Sequence, residues 1–489
     1  MENELLLDRN KREARESLGL SFKDYVWPIL FMLSLTMIGL KFPLGYFVAL
    51  CVLVNRFVHD RYDFIIELTL LCGGFSVLTP YLDLFPAADK IIVIVCCLLP
   101  IIYKFKYIAY KEVMLFYIYA IILVLFSYKS EESFYIQSSV MVSWLGLCIF
   151  IPIYASFGNQ RFDFKIFLKR LFPYFIIICF YYIIDSFILS GNFFLPRDNT
   201  ASPDISFLNL NLYPFSFAFI RMWPMSMYIS IPIIYAVTKY YKMPAWQWIV
   251  FLVALAVCRT FSLYAALILC WVLSQDKPKN MIKYLGYAIV ILVVGYFVDS
   301  EPVLIDEDVY ESKLRIRSSL DQFTSLANIA DEEDLSKFGT NRMLAIIPAL
   351  ELLYDLNKQW YGVGFLDINK TENQDYYFEN ELILDPHNPK KIQLINDIES
   401  VPIYVLIVIG YVGLIIHCVI FFLTWWFIRK LKYSDLYGIM LLCFILLGLT
   451  GFSGLVGNGL FLCGLCLSAI MLANNANSKT SDVKPLKVK

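Results

Sequence analysis

The stretch LVALAVCRTFSLYAALIL (Leu252–Leu269) places one cation, Arg259, between two apolar runs. A guanidinium at the centre of a bilayer costs roughly 2.5–3.5 kcal/mol even on the mildest scales. The residue therefore lies away from the centre of a span, or it has a task that offsets this cost. Three other residues have comparable chemistry beside apolar segments: Arg221, Arg342 and His387. Arginine forks bind phosphate oxygens bidentately and stay charged, and a histidine can act as a base or a donor.

Each of these residues also has a structural interpretation when it is taken alone. Arg221 could be a snorkelling anchor, Arg342 a surface residue or ion-pair partner, and His387 a residue of a Pro-bracketed turn. The topology argued below puts all of them and Arg259 on one side of a membrane. Several such groups above a membrane cavity would suit a lipid diphosphate.

Carboxylates and aromatic rings near His387 complete the candidate set. Asp385 is a rival base, and Glu379 and Glu381 are more remote candidates. Aromatic side chains could stack on sugars, and the candidates are Trp360, Tyr361, Tyr376 and Tyr377.

The remaining histidines and the cysteines indicate no metal or redox site. His59 lies in a basic loop and His417 in an apolar run, so both are interpreted as structural or solvated. All 12 cysteines fall in apolar runs, which is typical of small buried hydrophobic residues. Cys463-x-x-Cys466 lies within a predicted span that supplies no further ligands.

The composition indicates a polytopic membrane protein. Hydrophobic residues make up 59% of the 489-residue chain, and the net charge of −1 gives no reason to expect a nucleic-acid partner. No cleavable signal peptide is visible, and the charged residues 1–24 are expected to form a cytoplasmic tail. Candidate spans are residues 25–40, 42–55, 64–80, 88–103, 112–127, 134–156, 171–190, 218–238, 244–258, 260–274, 284–298, 401–427, 434–450 and 455–472.

Basic residues decide whether residues 244–274 cross the membrane once or twice. With two crossings and a cytoplasmic N-terminus, 26 of the 41 Lys and Arg lie in cytoplasmic segments. Residues 299–400, with 21 acids and nine bases, then lie outside. A single crossing would move every later segment to the opposite side of the membrane, which contradicts the preference of Lys and Arg for the cytoplasm. Each of the two helices has about 14 residues and reaches only ~21 Å, less than the thickness of the hydrocarbon core. The turn between them is therefore recessed, and Arg259 is expected there, on the floor of an outward-facing cavity.

The long outer segment, residues 299–400, is predicted to form a small, mostly helical cap. Glu311–Asp334 has apolar residues at helical spacing, and Thr340–Asn357 has a possible Thr340 cap and an apolar stripe. Pro348 should kink the second helix. Gly362 and Gly364 in QWYGVGF then predict a turn.

The chain is thus divided into an N-terminal tail (1–24), a transmembrane bundle (25–298), a periplasmic cap (299–400), C-terminal transmembrane helices (401–472) and a C-terminal tail (473–489). The predicted fold class is all-α, a polytopic membrane helix bundle of about 12–14 transmembrane helices.

Four motifs together resemble the O-antigen polymerase and ligase superfamily. They are CRTFSLYAALI, NRMLAIIPALELLYDLNKQWYGVGF, PHN and YVLIVIGYVGLIIH, all between about residues 240 and 425. The family typically has an Arg where two membrane helices meet and a second Arg that begins a periplasmic helix. A Trp–Gly turn follows, and an His-Asn pair precedes a G-x-x-G span. The matching residues are Arg259; Arg342 with Trp360, Gly362 and Gly364; His387-Asn388; and Gly410 and Gly413. Cys258, the prolines beside the His-Asn pair and the long outer segment depart from the pattern.

The resemblance implies an inner-membrane glycosyltransferase of bacteria, similar to the GT-C-type enzymes, with a periplasmic active face. Its donor would be an undecaprenyl-diphosphate-linked glycan, with no cofactor, nucleotide sugar or metal. Arg259, Arg342 and more weakly Arg221 would bind the diphosphate, with His387 or Asp385 as base and Trp360 and Tyr361 on the glycan. Membrane lipids and a chain-length regulator are the expected partners. A polymerase is favoured over a ligase that transfers the glycan to lipid A–core, and over a lipid-linked oligosaccharide flippase, for which no internal repeat is visible.

Overall fold

The computed structural model describes most of the apolar segments and little of the long polar one. The described residues are 16–39, 43–74, 88–103, 111–127, 144–158, 160–190, 225–258, 261–273, 278–306, 309–312, 316–326, 353–354, 357–362, 364, 401–441 and 459–481. Helices contain 86% of the described residues.

The helices of the first half correspond closely to the apolar runs of the sequence. A π-turn over Leu70–Gly74 extends the third of them, and a 3-10 turn over Leu145–Ile149 precedes the sixth. Their bounds are α1 Lys23–Gly39, α2 Pro43–His59, α3 Arg61–Thr69, α4 Ala88–Tyr103, α5 Lys111–Ser127, α6 Phe150–Phe157 and α7 Phe164–Ser190.

The second half continues the same pattern. Its helices are α8 Met225–Tyr240, α9 Ala245–Cys258, α10 Phe261–Leu273, α11 Pro278–Val298, α12 Ile316–Leu326, α13 Val401–Ile428 and α14 Gly459–Ser481. Residues 434–441 are also helical. Each of the fourteen candidate spans overlaps helical residues. The helix α14 continues past residue 472, where the sequence placed the start of the C-terminal tail.

Helix α7 lies at the centre of the packed core. It contacts α1, α3, α8, α9 and α14, and residues 171–179 are buried without a break. A helical stretch that is apolar and buried on all sides, as residues 171–179 are, needs neighbours all around it, and these five helices supply them. Helix α14 packs closely on the 3-10 turn, because Gly146 and Gly464 have no side chain to hold the two segments apart.

Among the described residues, two helical segments are long and apolar enough to cross a membrane: Asn280–Val298 and Val405–Ile428. Only 6% of the most apolar window in Asn280–Val298 is buried inside the protein, against 56% in Val405–Ile428. The first segment therefore presents nearly all of its apolar side chains to its surroundings, including Ile282, Phe297 and Val298. Such an exposed apolar surface is typical of contact with lipid or another protein.

Four short strands form two pairs. Strands β1 (Glu16–Ser17) and β2 (Tyr241–Lys242) are parallel, so they join the chain before α1 to the end of α8. Strands β3 (Val303–Asp306) and β4 (Val309–Glu311) are antiparallel and follow α11.

The described part of residues 299–400 begins at the end of α11. Asp299 Oδ2 accepts hydrogen bonds from the Ile316 and Arg317 amides at 3.1 and 3.2 Å, so its carboxylate caps the N-terminus of α12. The sequence predicted a helix in this region, and α12 lies within it. The β3–β4 pair was not predicted.

Candidate functional site

A Schellman motif ends a helical turn at Leu353 and Tyr354. The Lys358 amide donates to the Leu353 carbonyl at 2.9 Å, and the Asn357 amide donates to the Tyr354 carbonyl at 3.0 Å. Asn357 has φ of 54°, the left-handed conformation that this motif requires at its turning residue. The motif stands where the predicted helix Thr340–Asn357 ends, and it redirects the chain into the Trp360 segment.

The Trp360 segment, residues 357–364, turns again at Gly362. The Gly362 amide donates to the Lys358 carbonyl at 2.7 Å, and Gly362 has φ of 71°. A residue with a Cβ atom adopts this conformation only at a cost, so the sequence position requires glycine. The turn predicted from Gly362 and Gly364 is present in the described residues of this segment.

Helix α13 is interrupted at Gly410, whose φ of 66° and ψ of −173° are not helical. The sequence predicted a span over residues 401–427, and the interruption inside it was not predicted. An interruption in an apolar helix leaves backbone amides and carbonyls without partners, which is costly away from water. Those groups must find other partners in the fold.

The Trp360 segment provides these partners. The Tyr411 amide donates to the Gln359 carbonyl at 2.9 Å, and the Val412 amide donates to the Trp360 carbonyl at 3.1 Å. The Gly364 amide donates to the Val408 carbonyl at 2.9 Å. Backbone from a distant part of the chain therefore satisfies polar groups on both sides of the interruption.

Both glycines are required by the close approach of the two backbones. A Cβ atom on Gly362 would lie 2.4 Å from the carbonyl carbon and oxygen of Val408. A Cβ atom on Gly410 would lie 2.4 Å from the Trp360 carbonyl carbon and 2.4 Å from the Tyr361 amide nitrogen. Since the neighbouring atoms are backbone, they cannot move aside as a flexible side chain could. We call this unit of residues 357–364 and the interrupted α13 the glycine interlock.

Aromatic rings surround the glycine interlock. Trp360 and Tyr361 are 58% and 48% exposed, and Tyr354 is also exposed. The Trp360 ring centroid lies 6.0 Å from that of Tyr411, and the two ring planes meet at 66°. Rings held in this way present apolar faces together with hydroxyl groups, a combination that suits a polar ligand with C–H faces, such as a sugar.

Most of the other predicted site residues lie outside the described residues: Arg221, Arg259, Arg342, Asp385 and His387. The structure does describe the chain on both sides of Arg259. Helix α9 ends at Cys258 and α10 begins at Phe261, so separate helices lie on the two sides of Arg259. The Tyr264 hydroxyl donates to the Ala256 carbonyl at 3.3 Å and links these helices.

The residues that the sequence interpretation set aside agree with a structural role where they are described. His59 is exposed, whereas His417 is buried beside Trp144 and Phe421, with ring centroids at 5.8 and 4.9 Å. Cys463 and Cys466 are buried free thiols. No group of three or more His, Cys, Asp or Glu in the described part of the chain is arranged to hold a metal.

A buried charge network between α2, α3 and α7 was missed at the sequence level. Arg56 Nη2 lies 3.1 Å from Asp63 Oδ2, and its Nε lies 3.7 Å from Glu67 Oε1. The Tyr174 hydroxyl donates to Glu67 Oε1 at 2.6 Å. The available signal was the spacing of Asp63 and Glu67, four residues apart in an otherwise apolar run, which puts both carboxylates on one helix face.

Burial dominates the titration of Asp63 in this network. Burial, assisted by the neighbouring Asp60 charge, raises the pKa of Asp63 to about 6, although Arg56 and Arg170 act in the opposite direction. Asp60 also caps α3 by accepting from the Tyr62 and Asp63 amides, and its Oδ2 lies 3.2 Å from Arg170 Nη2. The network thereby joins the start of α3 to α7.

Comparison with known proteins gives no family for the chain: no protein-family model matches it, and no curated protein matches it significantly.

Proposed function

We propose that the protein is a membrane glycosyltransferase that polymerises undecaprenyl-diphosphate-linked oligosaccharide repeat units. The observation that carries this proposal is the glycine interlock. Two of the motifs that resemble the O-antigen polymerase and ligase superfamily, Trp360–Gly364 and Gly410–Gly413, are far apart in the sequence, and residues of both form one backbone hydrogen-bonded unit. The close approach of the two backbones gives a physical reason for Gly362 and Gly410 to occur together.

The proposed setting is the bacterial inner membrane, with a bundle of about 12–14 spans and the active face toward the periplasm. The two long apolar segments support a membrane location. Several further helices are apolar but shorter: Leu44–His59, Met114–Phe126, Leu145–Phe157, Ala245–Ala256 and Leu460–Asn474. The distribution of basic residues gives the proposed orientation.

The proposed reaction moves a glycan from one lipid diphosphate to another acceptor. The acceptor hydroxyl oxygen attacks the anomeric carbon of the donor, and the bond from this carbon to the diphosphate oxygen breaks. The departing diphosphate keeps the electron pair, and the hydroxyl proton passes to a base. In this proposal His387 is the base and Asp385 is the alternative.

Arginine side chains would stabilise the charge that grows on the departing diphosphate. Arg259 and Arg342 are assigned to it, and Arg221 is a weaker third candidate. Preorganised cations at a developing anion are usually the largest contribution to this kind of catalysis. The separate helices on either side of Arg259 support a location at a junction of two helices.

The aromatic rings of the glycine interlock would contact the glycan. Trp360 and Tyr361 are exposed, as a sugar-stacking surface requires, and the backbone hydrogen bonds of their segment hold them on α13. A rigid platform loses little conformational entropy when it binds a ligand.

Deletion of the gene, followed by lipopolysaccharide gel electrophoresis, tests the proposal. Loss of a polymerase leaves core carrying a single repeat unit, whereas loss of an O-antigen ligase leaves bare core. A flippase deletion also leaves bare core, but the purified flippase would move lipid-linked glycan without extending it. Complementation with Arg342→Ala or His387→Ala should reproduce the deletion pattern. Normal chain lengths with either variant would remove that residue from the site.

A further inference from the structure

A second polar site lies apart from the glycine interlock, in a pocket of about 220 Å³ between α1, α3 and α7. Two acids, Asp24 and Asp63, and two bases, Lys169 and Arg170, line it. Its volume equals that of about seven water molecules, below the range of drug-sized sites. The pocket therefore suits a small group that carries charges of both signs.

Asp63, which lines this pocket, carries an unsatisfied acceptor. The residue is 2% exposed, and Oδ2 is engaged by Arg56. The other oxygen, Oδ1, is buried and accepts no hydrogen bond from any described residue. A buried carboxylate oxygen without a donor is costly, so a ligand that brings a donor is favoured there.

Asp24, a second lining residue, adds further acceptor capacity. Ser21 donates to Asp24 Oδ2 from its amide at 2.8 Å and from its hydroxyl at 2.9 Å, which caps the start of α1. Both bonds end on one oxygen, so Oδ1 remains for another donor. Burial acts to raise the pKa of Asp24, but the Ser21 hydrogen bonds and the charges of Arg170 and Lys169 lower it below its ordinary value.

Two prolines in the pocket wall free two more acceptors. Pro28 lies inside α1 and Pro173 inside α7. Because proline has no amide hydrogen, the carbonyls of Asp24 and Lys169, four residues earlier, lose their normal helical donors. Both of those residues line the same pocket.

The basic side chains provide the opposite charge. Arg170 binds Asp60 through Nη2, which orients its guanidinium and leaves other donors of the fork. Lys169 lies one residue earlier on α7. A simple anion would be repelled by Asp24 and Asp63, and a simple cation by Lys169 and Arg170. A ligand with an ammonium and a phosphate satisfies both sets.

Apolar surface beside the pocket favours a lipid as the source of this group. Trp27, Leu30 and Leu33 are exposed on α1, and Ile166, which lines the pocket, is 45% exposed. A soluble ligand would leave these side chains in water, whereas acyl chains would cover them.

We infer that this pocket binds the phosphoethanolamine headgroup of a phospholipid. The ammonium donates to Asp24 and Asp63, and the phosphate accepts from Lys169 and Arg170. Binding would join the start of α1 to α3 and α7 at the edge of the lipid layer.

Native mass spectrometry of the purified full-length protein tests this inference. The protein is equilibrated with equal amounts of phosphatidylethanolamine, phosphatidylcholine and phosphatidylglycerol. Phosphatidylcholine has the phosphate but no N–H donors, and phosphatidylglycerol lacks the ammonium. We expect phosphatidylethanolamine to be retained about tenfold more than either, since a charge-assisted hydrogen bond is worth at least this factor. Equal retention of all three lipids would overturn the inference.

Two variants and one control locate the effect. Lys169→Gln should lower phosphatidylethanolamine retention about tenfold, whereas Arg161→Gln, an exposed change outside the pocket lining, should not. Asp24→Asn keeps an oxygen for Ser21 but removes one of the two acidic charges, so it should reduce the preference over phosphatidylglycerol. Variants that elute and melt as the wild type does but keep its lipid preference would refute the assignment.

A last arm separates the lipid from its headgroup. Phosphatidylethanolamine is first titrated into the delipidated protein until the melting temperature rises. Soluble O-phosphoethanolamine is then added to a second sample at the same concentration. We expect no comparable rise with the soluble compound. An equal rise would show that the acyl chains contribute nothing and would overturn the choice of a lipid.

Discussion

Replacement of Gly362 by alanine tests the glycine interlock. The added Cβ atom would lie 2.4 Å from the carbonyl group of Val408 and 2.6 Å from the carbonyl oxygen of Ile407. At φ of 71° the substitution is strained even without these contacts. The protein can keep the segment docked against this overlap or release it from α13.

Release sets the upper limit of the cost. It breaks the three backbone hydrogen bonds that join the Trp360 segment to α13, each worth about 1 kcal/mol net. The free energy of opening should then fall by about 3 kcal/mol, which raises the opening equilibrium constant roughly a hundredfold. Hydrogen–deuterium exchange of peptides that cover residues 357–364 and 405–415 measures this opening directly.

Gly286→Ala is the matched control. Gly286 lies in α11, and a Cβ atom there would meet nothing within 4 Å, so this variant should exchange as the wild type does. In Gly362→Ala the two interlock peptides should exchange about a hundredfold faster, while peptides of α7 stay protected. Wild-type exchange in Gly362→Ala would refute the interlock.

Three further outcomes follow from the site and the charge network. Trp360→Ala should weaken binding of the lipid-linked glycan in a binding titration, and Trp360→Phe should keep part of the affinity because it keeps a ring. Trp246→Ala removes another exposed ring and should leave the affinity unchanged. Arg342→Ala should lower the rate of glycan elongation about 10²–10³-fold. Arg342→Lys should recover only part of this loss, because lysine lacks the bidentate fork of arginine. Equal rates for the wild type and both variants would contradict a role of Arg342 in binding the diphosphate. Because burial raises the pKa of Asp63 from 3.8 to about 6 in the folded protein, its contribution to stability is full below the unfolded value and is lost as the pH rises through the folded value. The melting temperature should therefore fall more between about pH 4 and pH 7 in the wild type than in Asp63→Asn, and parallel curves would contradict this.

The sequence predicted the helices well, because long apolar runs separated by charged residues leave few alternatives. The helix α4, Ala88–Tyr103, coincides with its predicted span, and α9 and α10 lie within the candidate spans 244–258 and 260–274. That these two helices cross the membrane separately stays a prediction. Local capping signals are also visible in sequence, and the left-handed Asn357 ends its helical turn where the predicted helix ends.

The interruption of α13 could not be predicted in the same way. VLIVIGYVGLIIH is an apolar run in which glycine costs only about 1 kcal/mol relative to alanine, so a continuous helix is the reasonable local expectation. The interruption depends on backbone partners from residues 359–364, which are remote in sequence. Tertiary hydrogen bonds of this kind have no local signal.

The buried charge network was missed for a different reason. Asp63 and Glu67 do carry a signal, since acids rarely stand in an apolar run without partners. Their partners, Arg56 and Tyr174, come from two other helices and are identified only when α2 and α7 pack on α3.

The most direct test of the proposed function is reconstitution of the purified protein in nanodiscs. A synthetic undecaprenyl-diphosphate-linked oligosaccharide is supplied without nucleotide or ion gradient, and product length is read by gel and mass spectrometry. We predict products of two or more repeat units with the wild type and Gly286→Ala, and a strong loss with Gly362→Ala. Recovery of the substrate at its original length with the wild-type protein would contradict the account.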